Sequence, residues 1–130
     1  MLDLRNSTDY DQEHVRGSQS LPIPEYTTDT GSGDLFGDPR AIHWASSSLE
    51  ALLSGDQARK VLETARSQDR NVLVLCYHGD VSRLATAALR KNGVTAFSVK
   101  FGFLGLRRRL IPPSESSKEQ VKVHLDQQSL

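Results

Sequence analysis

The chain has 130 residues, enough for one domain and too few for two ordinary ones. Sixteen Lys and Arg balance sixteen Asp and Glu, so the formal net charge is zero, which argues against a general nucleic-acid or polyanion binder. The longest unbroken apolar run, Val72–Tyr77, has six residues and is far short of a membrane span. No basic segment followed by an apolar stretch opens the chain, so a cytoplasmic or organelle-matrix location is expected.

Met1–Leu4 reads as a short strand, and Asn6-Ser7-Thr8-Asp9 in the polar run after it carries turn chemistry. Ser20–Pro24 reads as an extended piece that its two prolines confine to an edge or a connection. From Glu25 to Pro39 the composition is Thr, Asp, Gly and Ser with almost nothing to bury, which predicts a long loop. Ser46-Ser47-Ser48 offers N-cap oxygens to a helix carrying Leu49, Leu52 and Leu53. Gly55-Asp56 breaks it, and a second helix follows with Ala58, Val61, Leu62 and Ala65 on one face. Asn71–Cys76 reads as the clearest strand, continuously apolar from Val72 on, as expected of a central strand covered on both faces.

After the Tyr77–Asp80 loop, Val81–Lys91 is predicted as a helix with Leu84, Ala85, Ala88 and Leu89 inward, ended by Asn92-Gly93. Val94–Val99 is β-prone, and Phe101–Leu110 reads as a last helix with Arg107-Arg108-Arg109 on a solvated face. The domain is expected to close by residue 111. Residues 112–130 form a polar tail in which Val121–Leu125 alternates like an added edge strand. Strands separated by helices define an α/β domain with a central, mainly parallel sheet flanked by helices. Ligands of such sheets bind beyond the carboxyl ends of the strands. Cys76 occupies one of those ends.

Cys76 is the only cysteine, so an internal disulfide and a multi-thiolate metal site are both excluded. His14, His43, His78 and His124 have no metal-ligand spacing, so no metal is expected, and no organic cofactor is implied. The bland reading of a lone cysteine is a small buried hydrophobe. Its neighbourhood, strand–Cys76-Tyr77-His78-Gly79-Asp80-Val81-Ser82-Arg83–helix, favours chemistry instead. The thiol lies ahead of a helix N-terminus, whose free N–H groups and dipole favour the nucleophilic thiolate. A tight loop there turns successive amides inward as an anion cradle, and Gly79 lets the backbone approach a ligand. Arg83 and His78 add positive or donor character. Such a site suits sulfur capture from an anionic donor, or attack on phosphate or arsenate.

Spacing separates these chemistries. Cysteine phosphatases need arginine after five intervening residues, so that the guanidinium clamps the oxyanion bidentately. Here Ser82 holds that place and Arg83 arrives one step late, about 100° further round a helix. The phosphatase reading is disfavoured.

The loop Cys76–Val81, Cys-x-x-Gly-x-x, resembles the active-site loop of the rhodanese family of sulfurtransferases. Cys76-Tyr77-His78-Gly79 is similar to that of single-domain thiosulfate sulfurtransferases of the GlpE type. Leu2-Asp3-Leu4-Arg5, Asp9-Tyr10, His14–Ser18 and Leu21–Pro24 resemble the family's opening stretch, and Val99–Phe103 its Gly-Gly-Phe stretch. Phe101 stands where that stretch commonly has glycine, and Val81 where the loop often has arginine or threonine. The family ordinarily places a further strand and helix ahead of the Asp-x-Arg strand. The resemblance implies a rhodanese-like fold over residues 1–111 and a Cys76 persulfide, with Tyr77, His78, Gly79, Asp80, Val81, Ser82 and Arg83 as the substrate- and anion-binding loop. The implied partners are a small anionic sulfur donor and a thiol or protein acceptor. A non-catalytic interaction or persulfide-relay module is the alternative. Asp3, Arg5 and His14 are expected to brace the fold, and Trp44 to cover the helix layer.

Overall fold

The computed structural model describes residues 1–29 and 35–110. The expected strand at 121–125 and the tail from 112 lie outside the described residues. In chain order the elements are β1 (Leu2–Asp3), α1 (Ser7–Gln12), β2 (Gln19–Ser20), α2 (Pro39–Leu53), α3 (Asp56–Ser67), β3 (Val72–Leu75), α4 (Val81–Lys91), β4 (Ala96–Ser98) and α5 (Gly102–Leu110). The four strands form one sheet in the order β2-β1-β3-β4, and every pairing is parallel. Leu2 sits opposite Val74, and Val72 opposite Ala96.

The continuous apolar run of β3 has the cause its sequence implied. Val72, Val74 and Cys76 join the larger core with Ala58, Leu62 and Ala65 of α3 and Val81, Ala85 and Leu89 of α4. Leu75 points to the other face, where Val15 and Phe103 meet it, with Val99 and Leu106 alongside. The sheet therefore carries helices on both faces, and the carboxyl end of β3 opens at its centre. No helix among the described residues is long and apolar enough to cross a membrane.

Four local readings are corrected. Asn6–Asp9 is the start of a helix rather than a turn: the Asn6 side chain accepts from the Asp9 amide at 2.8 Å as an N-cap. α2 begins at Pro39, well before the serine triplet, because Asp38 caps it and Pro39 supplies a preset φ in its first turn. The 25–39 segment also buries more than its composition promised, since Tyr26 and Leu35 both enter the core. On α4 the buried stripe is Val81, Ser82, Ala85, Thr86 and Leu89, with Leu84 and Ala88 only half-buried at its edge.

Candidate active site

Cys76 follows the last residue of β3 and is wholly buried. Its sulfur accepts the Gly79 amide at 3.0 Å and the Ser82 amide at 3.4 Å, the latter from the first turn of α4. Ser82 Oγ lies 3.3 Å from the sulfur and 2.6 Å from Ser98 Oγ, so a chain of two hydroxyls leads away from it. Asp80 caps α4 through the Val81 amide at 2.7 Å, and the same Oδ1 is 3.8 Å from the sulfur. Two peptide dipoles and a hydroxyl thus converge on Sγ, with one carboxylate at its edge. Donors fixed in this way stabilise negative charge on sulfur without needing a metal.

The loop keeps this shape because the chain after β4 closes over it. Gly79 has φ +93°, and a Cβ there would come within 2.7 Å of the Phe101 amide nitrogen. Gly102 has φ +63°, and a Cβ on it would stand 2.6 Å from the Cys76 carbonyl oxygen. With no Cβ in the way, α5 docks its first amides on the loop: Phe103 N–H donates to Cys76 O at 2.8 Å and Leu104 N–H to Tyr77 O at 3.2 Å. Phe101 itself has φ +64°, left-handed geometry that a side chain rarely adopts and that accounts for glycine in the resembling stretch.

Outside the sulfur lies a cleft of about 570 Å³, lined by Leu35, Phe36, Gly79, Asp80, Arg83, Ser98, Lys100 and Phe101, with His78 on its wall. The Arg83 guanidinium stands 4.9 Å above the exposed Phe36 ring, and the Lys100 ammonium 5.1 Å from the exposed Phe101 ring. Arg83 is therefore in the cleft but has no hydrogen bond to Sγ, in keeping with the missing phosphatase clamp.

The sequence-derived loop divides in three. Cys76, Gly79, Asp80 and Ser82 form the sulfur cradle, while His78 and Arg83 belong to the cleft, His78 Nε2 lying 2.8 Å from Thr28 O. Neither Cys76 nor Ser82 lines the cleft, and two further side chains of the loop are absent from it as well. Val81 is fully buried in the core because the first turn of α4 faces the sheet. Tyr77 points away: its hydroxyl donates to the Asp9 carboxylate and accepts from the Asn6 amide at 3.3 Å. The amides are likewise unequal. That of Tyr77 meets the Tyr26 hydroxyl at 3.5 Å, and that of Val81 is taken by Asp80.

Burial, and secondarily the neighbouring Cys76, push the Tyr26 phenol far above its ordinary value. Tyr77 is raised as well, by burial first and then by its bond to Asp9. Both stay neutral donors. Tyr26 packs edge-on against Tyr77 at 4.7 Å and beside Trp44 at 5.7 Å, and the half-buried Trp44 packs against the core there.

Sequence reasoning missed Ser98, Tyr26, Phe36 and Lys100. Ser98 could have been found from register, since it lies opposite Val74 at the end of its strand. The expected bracing residues do brace. Arg5 and Asp3 form a buried pair at 2.8 Å, and His14 stacks on Tyr10 with ring centroids 4.0 Å apart.

The site is thus a lone buried cysteine, cradled by backbone amides at a strand end of a parallel α/β layer. The family model for the rhodanese-like domain matches residues 1–108, and the chain belongs to that family. The fold is also similar to the N-terminal domain of a Clostridium difficile 630 protein, provisionally described as an ATP/GTP binding protein. Identity there is 16%, the TM-score is 0.58, and the match covers 83% of this chain and 85% of that one. At that identity the likeness concerns the fold alone. Comparison with curated proteins finds no match.

Proposed function

We propose that the protein is a sulfurtransferase working through a persulfide on Cys76, with thiosulfate or a related sulfane compound as donor. The observation that carries this reading is the placement of Sγ between the Gly79 and Ser82 amides beneath a cleft holding Arg83 and Lys100. The Cys76 thiolate attacks the outer sulfur of thiosulfate. The S–S bond of the donor breaks, sulfite leaves with the electron pair, and Cys76–S–S⁻ remains. A thiol, a protein thiol or cyanide then attacks the outer sulfur, and the Cys76 thiolate is restored. Ping-pong kinetics follow from this relay.

The test is intact mass after incubation with thiosulfate. One sulfur atom should be added, then lost on addition of cyanide with formation of thiocyanate. Cys76→Ser should show neither event, and retained turnover in that variant would refute the mechanism. Aryl phosphates should not be hydrolysed, because Arg83 does not stand over the sulfur.

The complete burial of Cys76 favours a second reading, a non-catalytic rhodanese-like module that binds a protein partner. The same measurement separates the two, since such a module adds no sulfur from any donor.

A further inference from the structure

A cavity of about 530 Å³ shares no residue with the cysteine cleft. Its apolar lining is Leu21, Pro22 and Pro24 from the segment after β2, with Trp44, Ala51 and Leu52 from α2. That segment is pinned to the core. Ile23 and Tyr26 are wholly buried, the Ile23 amide donates to Leu4 O at 3.2 Å, and the Tyr26 amide donates to Ile23 O at 3.3 Å. The two prolines add fixed φ angles. Trp44 packs on Tyr26 with ring centroids 5.7 Å apart yet stays half-buried, which leaves part of its indole open at the cavity. The cavity is therefore preformed, and its volume falls in the range of small-molecule sites.

Charge narrows what the cavity takes. Its only ionisable lining residues are Glu25 and Asp56, both exposed, and no Lys, Arg or His lines it. Among the described residues Glu25 has no cationic partner, and Asp56 has only the exposed Arg59 at 3.4 Å. α2 ends and α3 begins beside the cavity, so their terminal dipoles oppose one another and the carboxylates set the sign. Tryptophan is the aromatic whose ring face attracts a cation most strongly. A ligand with an apolar body and a positive head uses all of these features, whereas an anion meets two carboxylates and nothing to hold it.

We propose that this cavity is a binding site for a small organic amine, whose ammonium group meets Glu25 and Asp56 while its apolar body lies against Trp44, Leu52 and the two prolines. The site goes beyond the sulfurtransferase reading. It stands whether or not Cys76 transfers sulfur.

Trp44 is the only tryptophan, so the full chain carries its own reporter. Its fluorescence is titrated with three probes that share a ring and differ in charge: cyclohexylmethylammonium, cyclohexylmethanol and cyclohexanecarboxylate. The ammonium should saturate the signal with an affinity about fivefold above that of the alcohol, and the carboxylate should bind more weakly than either. Added salt should weaken the ammonium and leave the alcohol unchanged. Glu25→Gln combined with Asp56→Asn, two exposed changes that leave the core intact, should bring ammonium and alcohol within about twofold of each other. Equal affinities of ammonium and alcohol for the unaltered protein would overturn the proposal, as would an ammonium affinity unmoved in the double variant or a Trp44 signal that none of the three probes changes. Tighter binding of acetyl-Gly-Lys-Gly-amide than of the ammonium would assign the site to a lysine of another protein, and the small-molecule proposal would fall.

Discussion

Arg5 is buried at 3% exposure and engages both Nε and Nη2 of its guanidinium. It grips both oxygens of Asp3 at 2.8–3.2 Å, donates to Glu13 O at 2.7 Å and lies 3.7 Å over the Phe103 ring. Arg5→Met strips the partner from the Asp3 carboxylate, which has no exposure at all. That change should cost about 3–5 kcal/mol in urea unfolding. Asp3→Leu added to Arg5→Met should recover most of the loss, because the penalty comes from the stranded charge. Gly79 fails differently. Gly79→Ala forces a side chain into left-handed backbone and against the Phe101 amide, at a cost of about 1–3 kcal/mol. The same change should slow the proposed persulfide formation even at saturating donor, since it moves one of the two amides on the sulfur.

Among the elements, α5 is the one on which the site depends without containing any of the cradle. Gly102→Ala would push it off the Cys76 and Tyr77 carbonyls, removing two hydrogen bonds and loosening Phe103. Hydrogen exchange should then show the Phe103 and Leu104 amides losing protection, while those of β3 keep theirs. How much of this was legible follows from how local each signal is. β3 could be read because four apolar residues follow one another, and the Cys76–Ser82 cradle because strand end, glycine and helix start are contiguous. The first half of α2 was obscured: Asp38-Pro39 is a clear start signal, but Arg40 and His43 behind it look like loop. Asn6 is ambiguous in principle, as the same side-chain bond opens a turn or a helix. Ser98 and Tyr26 reach the sulfur only through pairing and packing between distant segments. No local pattern encodes that.

For the molecule as a whole, the two buried phenols make alkaline pH the sensitive direction. Tyr26 and Tyr77 are both raised above the ordinary value of 10.0. The unfolded chain therefore ionises them first. Their contribution to stability is fully present below about pH 10 and is lost as pH rises beyond it toward the folded values. Denaturation midpoints should hold steady up to that point and then fall. Tyr26→Phe should flatten the alkaline fall, at the cost of the Tyr77 amide contact. The docking of α5 bears on synthesis as well. A ribosome releases Cys76, Gly79 and Ser82 before it releases Phe103 and Leu104, whose amides fix the backbone of the sulfur loop. A half-made chain thus carries its cysteine without the assembled cradle, which becomes fully organised only when nearly the whole sheet and α5 have left the tunnel.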